Sequence, residues 1–287
     1  MKILIILKKW GGGVGTVIKN VQKELQLDGH QVKTISREDD LNISSLVKSI
    51  FLLGKKIKIL ENKNKFNIIY TQDWSLAFPL FFPYPLFIKK HFCMFHGTEP
   101  GKLKWMQGLI GRLLGKKLIV ADSINKKRFK KSNFNPNGVN LEEFFPLKKQ
   151  RKFLGWIKKG SEIIQEGEIK KLSKIVNIPL LIAQNIKREE MNEKFYNKLK
   201  LFLSFPIRKA GCQLSYMEAM AAGVPKIIGN KNGEGWKYPF EKEENFLNLI
   251  EAIKDSKERN YRRWLEKNDL TWKKHSEKLI QIFKQHL

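Results

Sequence analysis

The sequence predicts an α/β protein built from two doubly wound domains that face each other. Three observations carry that expectation. Short apolar runs of buried-strand composition alternate with segments of helical spacing along the 287 residues, the pattern of a parallel sheet with helices on both faces. The alternation runs twice, once on each side of a polar, basic stretch at Leu147–Lys152. An apolar content of 42% in a chain of this length is enough for two cores of ordinary size.

Each element follows from local pattern. Lys2–Leu7 reads as a buried strand, Trp10–Thr16 as a turn rich in glycine (Gly11, Gly12, Gly13, Gly15), and Val17–Leu27 as a helix on Val17, Val21 and Leu25. Asp28-Gly29-His30 stops that helix, and Gln31–Ile35 is the next strand. Ser45–Leu60 is helical, and Asn67–Thr71 is a strand followed by Gln72-Asp73-Trp74. Ser75–Ile88 is apolar but short and broken by Pro79, Pro83 and Pro85, so it cannot span a membrane. A buried cap and a surface for membrane or acceptor both remain open for it. Phe92–Phe95 is a strand ending at His96-Gly97-Thr98, Lys104–Leu114 a helix, and Lys117–Ala121 a strand. Asp122-Ser123 caps a short basic helix, and the turn Asn135–Gly138 leads to Val139–Pro146.

The second series places strands at Lys152–Ile157, Pro179–Ala183, Leu201–Phe205 and Val224–Ile228. Helices fall at Ser161–Val176, Arg188–Leu199, Gln213–Ala222 and Glu243–Ile253, and two more finish the chain. The expected division is residues 1–148, 149–268 and a terminal segment 269–287.

The formal charge is +27, and both halves are basic. Such a field concentrates anions: nucleotide phosphates, acidic lipid or nucleic acid. A merely solvated surface is an equal reading. Cys93 and Cys212 form no disulfide or metal framework, which favours a reducing, cytoplasmic compartment. The basic run Asn125–Lys131 leaves peripheral contact with acidic membrane open.

Candidate site residues lie where strands end, the place at which open α/β sheets bind ligands. Gly12, Gly13 and Gly15 suit a nest of N–H groups at a helix start. No acidic residue stands out at the end of the second strand to complete a dinucleotide pattern. His96 ends its strand beside Gly97, whereas His30, His91, His275 and His286 read as solvated. Phe202–Gly229 reads as strand, glycine loop, amphipathic helix with one carboxylate, glycine stop and strand. The start of that helix attracts anions, and Glu218 can accept hydrogen bonds from sugar hydroxyls. This combination suits a nucleoside diphosphate. Lys158, Lys159, Arg208 and Lys209 sit where a diphosphate can be met.

These residues resemble the family-4 glycosyltransferases of GT-B architecture over nearly the whole chain. Glu218-Ala219-Met220-Ala221-Ala222-Gly223-Val224-Pro225 is similar to the family's nucleotide-binding helix, and Asn137-Gly138-Val139-Asn140 to the segment before its interdomain crossover. Gly11–Gly15, Thr71–Trp74, Phe95–Thr98, Phe144–Pro146, Lys159-Gly160 and Leu270-Thr271-Trp272 resemble further family segments in the same order. The resemblance implies two Rossmann-like domains facing across a cleft, with a C-terminal helix packing back on the N-terminal domain. It implies retaining, metal-independent sugar transfer from a UDP- or GDP-type donor, with no cofactor, to a glycan, lipid-linked or protein acceptor. Glu218 would hold the ribose, and Lys159 or Lys158 the diphosphate, aided by amides of Gly211, Cys212 and Gln213. His96 would orient the sugar. The chain departs from the family at Ala210, where a second glutamate is usual, and at Trp156, where an arginine is usual. Arg208 or Lys209 would compensate. Those departures motivate an alternative, a catalytically degenerate nucleotide-sugar binder or partner subunit. A nucleic-acid-binding role rests on charge alone and has no recognition motif behind it.

Overall fold

The computed structural model describes residues 1–43, 45–82, 89–97, 103–158, 163–206, 213–230, 239, 241–243 and 246–287. It divides into two units, Met1–Pro136 with Trp272–Leu287, and Asn137–Thr271.

The first unit holds a six-stranded sheet in the order β2-β1-β3-β4-β5-β6. Its strands are β1 (Lys2–Leu7), β2 (Gln31–Ser36), β3 (Ile68–Thr71), β4 (His91–Phe95), β5 (Leu118–Val120) and β6 (Asn133–Phe134). Every pairing is parallel. Parallel strands need crossovers, and these are α1 (Gly12–Leu27), α2 (Leu46–Asn64), α3 (Trp74–Ala77), α4 (Lys104–Leu114) and α5 (Ser123–Arg128). β1, β3 and β4 are buried on both faces except at Lys2, which explains their largely apolar composition. Within Ser75–Ile88, Leu76, Ala77 and Leu80 are buried, as a cap requires, while Phe82 is exposed; residues 83–88 lie outside the described residues. The terminal helix α11 (Trp272–His286) closes this unit: Phe283 stands edge-on to Tyr70 and Phe92, with ring centroids 5.5 and 4.8 Å apart.

The second unit holds a five-stranded sheet, order β11-β10-β9-β7-β8, again parallel throughout. The strands are β7 (Phe153–Ile157), β8 (Leu180–Ala183), β9 (Leu199–Ser204), β10 (Lys226–Gly229) and β11 (Glu241–Lys242). The helices are α6 (Glu166–Ile175), α7 (Met191–Lys194), α8 (Leu214–Ala221), α9 (Phe246–Asp255) and α10 (Tyr261–Lys267). In both sheets the strand order reverses beside the first strand, between β1 and β3 and between β7 and β9. Such reversals open a crevice outside the strand ends.

Four expectations change. The boundary falls at Pro136/Asn137 rather than at residue 148. Phe144 is fully buried in the second unit's core, and Val139 N–H donates to Leu270 O at 3.0 Å. The helix expected from Ser161 starts at Glu166, where Glu168 Oε2 reaches back to accept from Gln165 N–H at 2.8 Å. The helix expected over Arg188–Leu199 breaks into a single turn at Arg188–Glu190, α7, and another turn at Tyr196–Lys198. Asn197 enforces the break: its amide donates to Phe145 O, Asn192 O and Asn192 Oδ1 at 2.9–3.0 Å. Finally, α8 is not amphipathic. Ser215 through Ala221 are all buried, so no polar stripe exists.

Candidate functional site

Both units place chemistry at the strand ends beside their reversal points. In the second unit β9 leads to α8, which is fixed at both ends. Tyr216 donates from its hydroxyl to Ser204 O, tying α8 to β9. The last carbonyls of α8 meet guanidinium groups: Arg262 donates to Ala221 O at 3.0 Å, and Arg151 to Ala222 O at 2.7 Å. Cations at a helix C-terminus complement its dipole. The helix start carries no side-chain cap and no acidic residue in its first turn.

Glu218 projects from this anchored helix and is 6% exposed. Its Oε1 accepts from Arg188 Nη1 at 2.7 Å, and its Oε2 accepts from the Tyr196 hydroxyl at 2.8 Å. Arg188 Nε lies 3.1 Å from Glu143 Oε1, and its guanidinium sits over the Phe144 ring at 5.1 Å. One cation is therefore shared by two carboxylates. Burial works against the Arg188 charge, yet Glu218 and Glu143 raise its pKa. Burial raises that of Glu143, opposed by Arg188 and reinforced by Glu218. Burial, then Glu218, raises Tyr196 well above the ordinary phenol value, so its hydroxyl keeps its proton. A carboxylate accepts about four hydrogen bonds. Two donors leave Glu218 with acceptor capacity.

The remaining expected residues of this unit fare differently. Lys158 directly follows β7 but pairs with Glu166 Oε2 at 2.8 Å, and Glu166 also takes Lys170 at 2.6 Å. Those ammonium groups hold the Glu166 carboxyl down at about 2. Trp156 is 3% exposed and packs with Leu154, Ile169 and Leu203 on the side of β7 away from Glu218's core cluster. Gln213 is the residue before α8. Lys159, Arg208, Lys209, Ala210, Gly211 and Cys212 lie outside the described residues.

In the first unit the glycine loop is tethered. Trp10 N–H donates to Asp39 Oδ2 at 2.7 Å, and Trp10 Nε1–H to Asp40 Oδ2 at 3.2 Å. Two carboxylates therefore do stand beyond the second strand, where none was expected to matter, and they bind protein N–H groups. Gly11 and Gly12 have φ of 127° and 63°, a region costly for residues with a side chain. A Cβ at Gly11, Gly12 or Gly13 would meet nothing within 4 Å, so the space above the loop is open. Gly15 instead faces the Trp10 backbone at 3.4 Å.

His96 directly follows β4, with Nε2 2.9 Å from Oε1 of Gln72, which directly follows β3. Gln107 holds Gly97 O at 2.9 Å and is itself held by Arg128 at 2.9 Å. The loop after β1, Gln72 and His96 thus come from three adjacent strands. Burial pushes the His96 pKa down to about 4, so the imidazole is neutral near pH 7. His91 and His275 are buried, against the expectation of solvated rings. His91 starts a central strand and bonds Thr71 Oγ1 at 2.9 Å, while His275 Nδ1–H donates to Pro136 O at 2.7 Å.

Sequence reasoning missed Arg188, Tyr196 and Glu143. The strand-end rule flags the loop after β8, where Arg188 lies. Nothing local flags Tyr196 or Glu143. Among the described residues no group of three or more His, Cys, Asp or Glu has the arrangement of a metal site, and no helix is long and apolar enough to cross a membrane.

No protein-family model matches the sequence, and no curated protein matches it. Solved structures do match. Sucrose-phosphate synthase from Thermosynechococcus elongatus superposes with a TM-score of 0.75 at 13% identity, over 99% of each chain. The apo structure of OtsA gives 0.67 at 12% identity, and the apo form of the lipopolysaccharide outer core galactosyltransferase WaaB gives 0.65 at 12%, both over the full length of both chains. The fold shared with these proteins is the α/β architecture of GT-B glycosyltransferases, with two parallel sheets and interleaved helices.

Proposed function

We propose that the chain is a glycosyltransferase that moves a sugar from a nucleotide-sugar donor to an acceptor. One observation carries the reading: a buried carboxylate, Glu218, stands on an anchored helix that follows a strand end beside the sheet's reversal point, with hydrogen-bonding capacity to spare. The shared fold and the similarity of Glu218–Pro225 to a nucleotide-binding helix support it. Glu218 accepts the ribose hydroxyls. Arg188 and Tyr196 hold its carboxylate in place, so the acceptor atoms are oriented before the donor arrives. The uncapped start of α8 meets the diphosphate. Lys159 neutralises the leaving group, and Lys158 joins it by exchanging its Glu166 partner. His96, neutral and directed by Gln72, orients the substrate by hydrogen bonding, and the first unit takes the acceptor. In this reading transfer is retaining and metal-independent, with a UDP- or GDP-type donor and a hexosyl group.

The test separates binding from folding. Glu218→Ala alone leaves Arg188 held by Glu143 and free to reorient into the vacated space, so it is combined with Arg188→Met. The double variant still leaves Glu143 without its cation and the Tyr196 hydroxyl without its acceptor, so it is expected to lose about 2–5 kcal/mol of stability, to remain folded by thermal unfolding, and to lose nucleotide binding by calorimetry and transfer of labelled sugar. Unchanged nucleotide affinity in a folded double variant overturns the assignment of Glu218.

Trp156 and the Lys158–Glu166 pair favour a second reading, a nucleotide-sugar binder without turnover. Trp156 fills a core position with an indole, so no fixed cation stands there. Saturable nucleotide binding with no hydrolysis or transfer for any common donor selects this reading.

A further inference from the structure

The proposed chemistry leaves one built surface of the first unit unused. α4 buries Gln107, Ile110, Gly111 and Leu114. Its opposite face shows Trp105, Leu109 and Leu113, which are 65%, 40% and 49% exposed. These residues recur every four positions, so they form one stripe along the helix. Leu103, 41% exposed, precedes the helix and adds apolar surface near its N-terminal end. Arg112 and Lys116 are exposed next to it.

Beside α4 lies a cavity of about 360 Å³ whose lining, among the described residues, includes Arg112, Arg128, Lys130 and Lys131 and no carboxylate. Arg128 joins this cavity to the helix, donating to Lys104 O at 2.8 Å and to Gln107 Oε1 at 2.9 Å. Gly111 belongs to the same lining, and a Cβ there would stand 2.5 Å from the Phe129 ring. The absence of a side chain at Gly111 keeps helix and basic pocket in close contact.

We propose that this face docks the protein on an anionic lipid bilayer. Trp105, Leu109 and Leu113 enter the boundary between headgroups and acyl chains, and the basic cavity takes lipid phosphate. Charge complementarity selects the occupant. An apolar stripe rimmed by Lys and Arg, ending in an exposed Trp, is the pattern of a helix lying in a membrane interface. Each cation near an acidic surface adds attraction, and the chain's +27 charge directs the approach. A stable protein interface needs about 800 Å² from each partner, more than a stripe of three side chains with Leu103 beside it supplies. The inference does not rest on sugar transfer, and its test reads membrane partition alone.

The full chain is sedimented with vesicles of phosphatidylcholine and with vesicles that also contain phosphatidylglycerol. Binding to the anionic vesicles is expected to be at least about tenfold stronger. Trp105→Ser/Leu109→Ser/Leu113→Ser, which changes only exposed positions, is expected to bind at low salt but to release at high salt, where the wild type stays bound. Lys130→Glu/Lys131→Glu is expected to weaken binding at least about tenfold at low salt. Three results overturn the proposal: no vesicle binding by the wild type, equal binding to neutral and anionic vesicles, or high-salt binding by the triple variant equal to wild type. Wild-type self-association that the triple variant abolishes, with no vesicle binding, assigns the stripe to a protein interface instead.

Discussion

Glu218 is kept in the interior by its partners. Arg188 and Tyr196 occupy one oxygen each, and Glu143 draws the same guanidinium from the other side. Removing a hydrogen bond to a charged group costs about 1.5–3 kcal/mol, and Tyr196→Phe is expected to lower stability by that amount in urea unfolding while leaving Arg188 in place. Arg188→Met has a different signature. It leaves Glu143 and Glu218 facing each other without their shared cation, and about 1–3 kcal/mol is expected to go at pH 7, reduced because Arg188 is partly solvated. A carboxyl whose folded pKa lies above its unfolded value contributes stability below the unfolded value and loses it as pH rises through the folded one. Glu143 is already raised, and loss of the cation raises it further. The deficit of Arg188→Met is therefore expected to be smaller at pH 4.5 than at pH 7, and unfolding midpoints at the two values check it. Glu218 was legible in the sequence because a lone acid sat in a strand-loop-helix frame. Its partners were not. Tyr196 lies in a stretch whose spacing reads as helix, and only the Asn197 contacts reveal the turn that aims its hydroxyl at Glu218.

At the scale of elements, α8 shows how a short helix can be a rigid platform. Its end is a Schellman motif: Val224 N–H donates to Ala219 O at 3.0 Å and Gly223 N–H to Met220 O at 3.1 Å. Gly223 has φ of 72°, and a Cβ there would stand 2.9 Å from Pro146 Cγ. Gly223→Ala thus meets two penalties, a left-handed backbone costing about 1–2 kcal/mol and a clash with a ring of limited mobility. A loss of at least about 2 kcal/mol is expected, with nucleotide affinity falling as the helix shifts. Thermal unfolding and calorimetry on the same variant check both; a shift in neither removes the platform argument. The strands and their helical crossovers were legible because apolar runs and glycine stops are local signals. The polarity of α8 was misread for a physical reason. Its neighbours cover every side, and the one charged residue is neutralised from Arg188, thirty positions upstream, so helical spacing carries no information about which face is inside.

For the whole molecule, two units with separate cores are expected to answer acid separately. Composition marked the basic stretch at Leu147–Lys152 as the boundary, but packing decides it earlier in the chain. Phe144 belongs to the second core, and α11 returns to the first through Phe283; both contacts join residues too distant in sequence for composition to register. That return places two buried imidazoles in one unit, His91 in β4 and His275 in α11. Burial lowers His91 to about 3. It also lowers His275 to about 4, the bond to Pro136 O opposing. An imidazole whose folded pKa lies below the unfolded value of about 6.5 contributes stability above that value. The contribution falls as pH drops toward the folded pKa, because the unfolded chain binds protons that the folded chain refuses. Between pH 7 and pH 5 each of the two, and His96, which is also lowered to about 4, is expected to remove about 2 kcal/mol from the first unit. Glu143, raised in the second unit, acts in the opposite direction over its own range. Hydrogen exchange followed by mass spectrometry at pH 7 and pH 5, corrected for the intrinsic rate, resolves the units: protection in β3, β4 and α11 is expected to fall together while that of β9 and α8 holds. His275→Gln keeps a donor for Pro136 O and cannot titrate, so with His91 and His96 still titrating it is expected to recover about a third of the acid loss. Equal loss of protection in both units would show that these imidazoles do not govern the acid response.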